Sequence, residues 1–327
     1  MRPIIVVFIC DENYAMPTTV AITSLKYNRS SDVSYNVYVL GVSLSEESKA
    51  KFQVLSDTHF EIKVLEQELS EEQRNVVICR ERVTLAALLK FDLPIIFNQY
   101  DKLIYLDSDI IVQKDLLPLF ELDIDNQYAA VVKDTMTVRG KNAHLKMLEF
   151  KPEAYFNSGM LLLNLKKMRE EDIPDKLLQY RLNGKNKFMD QDALNVVFDG
   201  NVKYVSPYYN LLNCFFEWQT VDELGKFYGV EFPHKKSEVF RNATVLHFGD
   251  KKKPWQYRMG YLSKLYMRYY NKSPYKNIPL QLEEVDEYQA LYSSDSLIHK
   301  MIFGGIKCLR ENGIRYTLRR IKEKIFK

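Results

Sequence analysis

Lys102-Leu-Ile-Tyr-Leu-Asp107-Ser-Asp109-Ile-Ile-Val112 decides how the fold of this chain is read. A nearly unbroken apolar run is interrupted by two carboxylates with a single residue between them, and then it resumes. Short apolar runs bounded by polar residues mark strands buried on both faces of a parallel sheet. On one continuous strand, residues i and i+2 point the same way. Asp107 and Asp109 would then face one pocket, with Ser108 turned away. Two charges in apolar company need a compensating cation or several hydrogen-bond donors. A divalent metal with oxygen ligands, itself holding a diphosphate, meets that need. The residues alone leave a second reading open, in which the pair is merely solvated where a strand leaves the sheet.

Upstream, Ile4–Cys10 reads as a strand that ends in the polar mouth Asp11-Glu-Asn-Tyr14. Pro17–Asn28 is a predicted helix with proline at its start. Tyr35–Leu40, Glu46–Leu55 and Phe60–Leu65 follow as strand, helix and strand. This alternation predicts a parallel sheet with helices on both faces. Ligands in such sheets collect at the carboxyl ends of strands, where Asp11 and Asp107 both fall. Arg82–Phe97 reads as a helix that Pro94 kinks or ends. Beyond the aspartate pair, Asp115–Phe120 is a helical turn and Tyr128–Val132 a strand. Met136–Pro152 lacks periodicity and reads as a loop over the site. Phe188-Met-Asp190-Gln191-Asp192 precedes a helix over Ala193–Phe198, with acidic residues suited to its N-terminus. Val202–Val205 and Val245-Leu-His247-Phe-Gly249 read as short strands, and 260–295 as mainly helical.

With 327 residues the length allows about two domains. Only 12 glycines are present, and neither G-x-G-x-x-G nor G-x-x-x-x-G-K-[ST] occurs. Any phosphates are therefore held by a metal and side chains rather than by a glycine-rich loop. Cys10, Cys79, Cys214 and Cys308 lie far apart without a C-x-x-C, as expected in a reducing compartment. Met1–Cys10 runs straight into Asp11-Glu12 with no cleavage site and reads as a buried strand rather than a leader. No apolar run approaches the ~20 residues of a membrane span, so the expected location is the cytoplasm. The net charge of +3 conceals an asymmetry. Residues 306–327 hold eight Lys or Arg against two Asp or Glu, a net +6, which leaves −3 for the rest. Apolar residues at Ile298, Ile302, Ile306, Leu309, Ile314, Leu318, Ile321 and Ile325 make this tail two basic amphipathic helices around Asn312-Gly313. Such helices lie on anionic membrane surfaces; packing on the catalytic unit is the competing reading. With basic charge confined to the tail, nucleic acid is not an expected partner.

Taken together, the motifs resemble retaining glycosyltransferase family 8, which contains bacterial lipopolysaccharide galactosyl- and glucosyltransferases and glycogenin. The resemblance covers roughly residues 4–257. It is carried by Asp11-x-Asn13-Tyr14, Tyr105-Leu-Asp-Ser-Asp109, Tyr155-Phe-Asn-Ser-Gly-Met-Leu-Leu-Leu-Asn-Leu165, Asp190-Gln-Asp192 with Leu194-Asn195, and His247-Phe-Gly249 before Lys253-Pro-Trp255. Each is weak alone; five in the family's order are specific. The resemblance implies a GT-A type, Rossmann-like α/β fold, with a mixed, mostly parallel sheet flanked by helices. A catalytic domain is expected over 1–258 and a helical, basic C-terminal extension over 259–327.

The resemblance also implies a UDP-sugar donor and a metal, usually Mn2+, on Asp107, Asp109 and His247. Two carboxylates and an imidazole suit Mn2+ better than the alternative, Mg2+. Asp11, Asn13 and Tyr14 are the implied uridine contacts. Lys253 is the implied diphosphate contact, with Ser108 and Gly249 beside the donor. Asn157 and Ser158 match positions near the sugar hydroxyls. Asp190 and Gln191 carry the catalytic sugar end, while Asp192 could as well be a helix N-terminal residue. One departure stands out: the family's arginine before the aspartate strand is Lys90 here, in Leu88-Leu-Lys-Phe-Asp-Leu-Pro94. Lysine keeps the charge but lacks the guanidinium fork. The implied reaction is retaining transfer of glucose or galactose to a saccharide, glycolipid or glycoprotein acceptor in surface-glycan synthesis. The alternatives are a catalytically inactive partner subunit and a sugar nucleotidyltransferase. The latter would normally show a glycine-rich basic loop after the first strand.

Overall fold

The computed structural model describes residues 3–74, 85–135, 142–150, 154–183, 189–217, 219–249 and 251–284. Seven strands form the main sheet: β1 (Ile4–Asp11), β2 (Tyr35–Val42), β3 (Phe60–Glu66), β4 (Lys102–Leu106), β6 (Ala129–Lys133), β7 (Phe156–Asn164) and β8 (Val202–Tyr204), in the order β3-β2-β1-β4-β7-β6-β8. Three strands build a second, small sheet in the order β5-β10-β9: β5 (Ile110–Val112), β9 (Leu211–Leu212) and β10 (Val245–His247). In the main sheet β7 alone runs against its neighbours, pairing antiparallel with β4 and β6. The sheet is mixed and mostly parallel, as expected.

Alternation along the strands explains why this sheet is buried on both sides. Ile4, Val6, Phe8 and Cys10 of β1 enter one core with Ile104 and Leu106 of β4 and Met160 and Leu162 of β7. Ile5, Val7 and Ile9 enter the opposite core with Leu103, Tyr105, Leu161 and Leu163. The helix Ala15–Asn28 covers the first face. Residues 85–97 and the helix Met189–Phe198 cover the second. A third core lies under the small sheet, where Leu211, Leu212, Leu246 and Phe248 meet Leu265, Tyr266, Tyr269 and Tyr270 of the helix Tyr261–Tyr270. That helix is tied to Ala15–Asn28 by a hydrogen bond from Asn28 Nδ2 to Tyr269 Oη at 2.9 Å.

Several sequence expectations need correction. Lys102–Val112 is not one strand. The β4 ladder ends with Asp107 N–H donating to Gly159 O at 2.8 Å, and the chain then crosses to β5 in the small sheet. The two apolar runs serve different sheets, so the carboxylates sit on the crossing and converge by a turn, not by strand alternation. Of the expected helix Arg82–Phe97, residues 82–84 lie outside the described residues. The remainder is a 3-10 turn over Leu85–Lys90 and a separate short helix, Leu93–Ile96. Pro94 accounts for the break: it has no N–H to donate, and its ring clashes with the carbonyl four residues back. Within the expected loop 136–152, Asn142–Met147 is helical. The helix expected from Ala193 begins at Met189, which brings Asp190, Gln191 and Asp192 into its first turn. The predicted helical stretch 260–295 is helical over Tyr261–Tyr270, and its described remainder includes β12 (Glu283–Glu284), which pairs with β11 (Tyr257–Arg258). The tail 296–327 lies outside the described residues.

Candidate active site

The crossing between the two sheets gathers three ligand-type side chains. Asp107 follows β4 and Asp109 precedes β5. His247 ends β10, where antiparallel pairing sets it opposite Ile110, next to Asp109. One ligand atom from each of Asp107, Asp109 and His247 lies within 4.8 Å of the other two. His247 Nε2 is 3.1 Å from Asp109 Oδ1 and 3.8 Å from Asp107 Oδ2. Gly159 of β7 makes this approach possible, since a Cβ there would stand 2.3 Å from His247 Cε1 and 2.9 Å from Asp107 Oδ2. Ser108 turns away, as strand alternation had also implied: its hydroxyl donates to Ile9 O at 3.1 Å and accepts from Thr18 Oγ1 at 2.8 Å. Its side chain therefore anchors the crossing to β1 and the first helix rather than presenting a hydroxyl to the carboxylates.

Two lysines neutralise part of this negative charge. Lys253 Nζ lies 2.6 Å from Asp109 Oδ2 and also donates to Phe248 O. Burial would push the Asp109 carboxyl up, but the Lys253 ammonium beside it holds it well below the usual carboxylate range. Lys90 is 3% exposed and bridges Asp190 Oδ2 at 2.7 Å and Asp107 Oδ1 at 3.1 Å. Burial alone would lower its pKa, yet the two carboxylates push it up to about 12. The ammonium also stands 4.5 Å over the ring of Tyr105, whose hydroxyl donates to Asp107 Oδ1 at 2.7 Å. The departure at residue 90 thus leaves a cation paired to both Asp107 and Asp190.

Asp190 and Gln191, expected at the sugar end, form a second group joined to the first through Lys90. Asp190 Oδ2 accepts from the Ser158 hydroxyl at 2.9 Å as well as from Lys90. Gln191 Oε1 accepts from Asn157 Nδ2 at 2.9 Å and from Ser158 N at 3.3 Å, and its Nε2 donates to Asp134 Oδ2 at 3.3 Å. Asp192 points elsewhere, into a buried cluster with Tyr155 and with His144, whose Nε2 is 2.9 Å away. At the mouth, Asp11 caps the turn Glu12–Tyr14 by accepting from Tyr14 N, and Asn13 is exposed. The Tyr14 ring meets Trp255 edge-on at 6.3 Å. Burial, then Asp109, raises its phenol pKa, which marks its proximity to the charged cluster. Gly249 packs closely on the small sheet, since a Cβ there would lie 2.6 Å from Leu212 Cδ2 and the leucine tip would have to move. Asn164 serves the scaffold, donating to Ile124 O and capping the helix Leu165–Glu170.

Three participants escaped the sequence reading: Tyr105, Asp134 and Asn210. Tyr105 lay inside a quoted motif, so its position in a buried strand beside Asp107 was the available signal. Asp134 and Asn210 sit in unpatterned sequence and reach the site only through tertiary packing. Asn210 Oδ1 is 2.9 Å from His247 Nδ1.

The donor set suits a transition-metal dication. It offers two carboxylates and one imidazole, and the imidazole nitrogen facing them is not the one engaged by Asn210. If Nδ1 carries the ring proton, Nε2 and Asp109 Oδ1 oppose lone pair to lone pair at 3.1 Å, and a cation between them relieves that contact.

The family profile "Glycosyl transferase family 8" matches residues 5–259. A lipopolysaccharide 1,2-glucosyltransferase of Escherichia coli is 31% identical over 202 residues, 59% of this chain and 55% of that protein. Another of the same description, from strain K12, is 24% identical over 96% of this chain and 90% of its own length. Among curated relatives the matched stretch thus ranges widely, spanning 62% and 55% of two of them and 90% of a third. Among solved structures, the galactosyltransferase LgtC in complex with donor and acceptor sugar analogs superposes with a TM-score of 0.70 at 22% identity. That superposition covers 84% of this chain and 98% of LgtC. The fold is of the GT-A type.

Proposed function

The chain belongs to glycosyl transferase family 8, and on that premise we propose that it moves a hexose from a UDP-sugar to an acceptor hydroxyl with retention at the anomeric carbon. Glucose or galactose is the proposed sugar, and a saccharide, glycolipid or glycoprotein of surface-glycan synthesis is the proposed acceptor. The observation that carries this reading is the convergence of Asp107, Asp109 and His247 on one point beside Lys253. Mn2+ held there, or Mg2+ in its place, would supply Lewis-acid stabilisation of the departing diphosphate. Asp107, Asp109 and His247 would hold it. Lys253 adds a compact positive charge that can pass from Asp109 to a diphosphate oxygen. Asp11, Asn13 and Tyr14, grouped at the end of β1, are the proposed uridine contacts.

Asp190 and Gln191 are proposed to meet the transferred sugar. Retention by double displacement needs a nucleophile under the anomeric carbon. The Gln191 amide oxygen is occupied by two donors, which leaves it a poor one. Asp190 is neutralised by Lys90. Both facts favour same-face transfer, in which the acceptor oxygen bonds to the anomeric carbon as the bond to UDP breaks. The acceptor proton then passes to a departing diphosphate oxygen. We assign positioning of the sugar to Asp190 and Gln191 and orientation of Asp190 to Lys90 and Ser158. Against the inactive-subunit alternative, Lys90, the one departure from the family's pattern, is paired with both Asp107 and Asp190. The basic segment 296–327, outside the described residues, is proposed to hold the enzyme at an anionic membrane surface; among the described residues no helix is long and apolar enough to cross a membrane. A donor panel assayed with Mn2+ for release of UDP tests the activity. Release from UDP-glucose or UDP-galactose, abolished by Asp109→Asn, is the expected result. No release from any UDP-hexose, with or without acceptors, overturns it.

A further inference from the structure

We propose that Asn210 is a positioning residue that holds the His247 ring with a proton on Nδ1 and the Nε2 lone pair toward Asp107 and Asp109. The inference rests on reading those three residues as metal ligands. Its starting point is a group whose role cannot change: the backbone N–H of Gly159 is always a donor. It donates to Asn157 Oδ1 at 3.0 Å, so that atom is the carbonyl oxygen of the amide and not its nitrogen. Asn210 also meets Asn157 Oδ1, at 2.8 Å, and must present its NH2 there. Its own carbonyl oxygen therefore faces His247 Nδ1 at 2.9 Å, and only a protonated Nδ1 completes that bond.

The far side of Asn157 obeys the same logic. Its NH2 donates to Gln191 Oε1, where the backbone N–H of Ser158 also donates. Gln191 consequently turns its NH2 to Asp134. Two adjacent backbone donors on β7 thus polarise one relay running from His247 through Asn210 and Asn157 to Gln191 and Asp134. Asn210 is 1% exposed, and so is shielded from competing water. Partners that hold a ligating histidine from behind orient the ring and raise its basicity. The relay joins the metal end of the site to its sugar end through two side-chain amides, Asn210 and Asn157.

The test separates the two ends. Nitrogen-15 NMR of the metal-free protein, with His247 assigned by comparison with His247→Ala, reads which ring nitrogen carries a proton. Calorimetric titration with Mn2+ reads ligation without turnover. A proton on Nδ1 is expected in the wild type. Asn210→Leu, similar in size but unable to accept or donate, should weaken Mn2+ binding by about 10- to 100-fold. Asn210→Asp keeps an acceptor toward the ring but cannot donate to Asn157. It should retain Mn2+ affinity while kcat falls, a split that a general loss of folding would not produce. A proton on Nε2 alone in the wild type overturns the inference. So does wild-type Mn2+ affinity in Asn210→Leu while His247→Ala weakens it. If His247→Ala also binds Mn2+ at wild-type strength, the ligand assignment fails, and the role given to Asn210 falls with it.

Discussion

Lys90 is a buried cation held between two carboxylates of this site. Its ammonium joins Asp107 to Asp190 while almost wholly buried. Removing one partner of a buried ion pair leaves the other charge unsolvated, which typically costs about 3–5 kcal/mol. Asp107 keeps some exposure, so Lys90→Met is expected at the low end, near 3 kcal/mol, in chemical denaturation of the metal-free protein. Lys90→Arg should hold stability better yet shift the KM for the donor, because a planar fork cannot reproduce a point charge between two carboxylates. The pH dependence has a definite sign. With its pKa raised to about 12, above the unfolded value of about 10.4, the ammonium contributes fully below pH 10. That contribution is lost only as pH rises through 12, so at neutral pH the Lys90→Met penalty should not vary. The substitution at residue 90 was visible in the sequence. Its consequence was not, because pairing Lys90 with Asp190 needs a helix that begins earlier than its apolar pattern indicated.

At the scale of elements, β7 is the piece on which the site is mounted. It runs against its neighbours, ends the β4 ladder at Asp107, and brings the Gly159 backbone against both Asp107 and His247. A methyl group at residue 159 would have to displace the imidazole. Overpacking of this kind costs about 1–3 kcal/mol. Gly159→Ala should therefore lose Mn2+ binding and UDP release together, with a smaller effect on the melting temperature than on either. Unchanged Mn2+ affinity in that variant would mean that the ring has room the structure does not show. The β-α-β-α-β order through β3 was legible because each apolar run is short and punctuated. The break after Leu106 was not. The residues of β4 and β5 are equally apolar, and only the pairing partners Gly159 and Val245 reveal that they belong to different sheets. Convergence of the two carboxylates was anticipated, though by the wrong geometry. The helix Asn142–Met147 was missed because its apolar residues are too few to show a period; only Leu145 of the helix enters the small local cluster with Leu148 and Tyr155.

For the molecule as a whole, the three cores form one supporting body around the crossing, and the helix Tyr261–Tyr270 belongs to it through Leu265, Tyr266, Tyr269 and Tyr270. The uneven charge of the chain is the ground for the membrane role proposed for the tail. A chain ending at residue 296 is expected to release UDP at the full rate but no longer to pellet with anionic vesicles. Unchanged pelleting would remove the membrane role. Motif order carried most of the functional reading, because the motifs come from five separated segments that only this fold assembles. The supporting amides Asn210 and Asp134's partner Gln191 show what motif order omits, namely which atom of each side chain is donor and which is acceptor. The most direct test of the central claim is calorimetric binding of UDP with and without Mn2+ to the wild type and to Asp107→Asn, Asp109→Asn and His247→Ala. The expected result is UDP binding that depends on Mn2+ in the wild type and weakens by at least about tenfold in each variant. UDP binding of equal strength in chelator and in Mn2+, unaffected by all three substitutions, would contradict it.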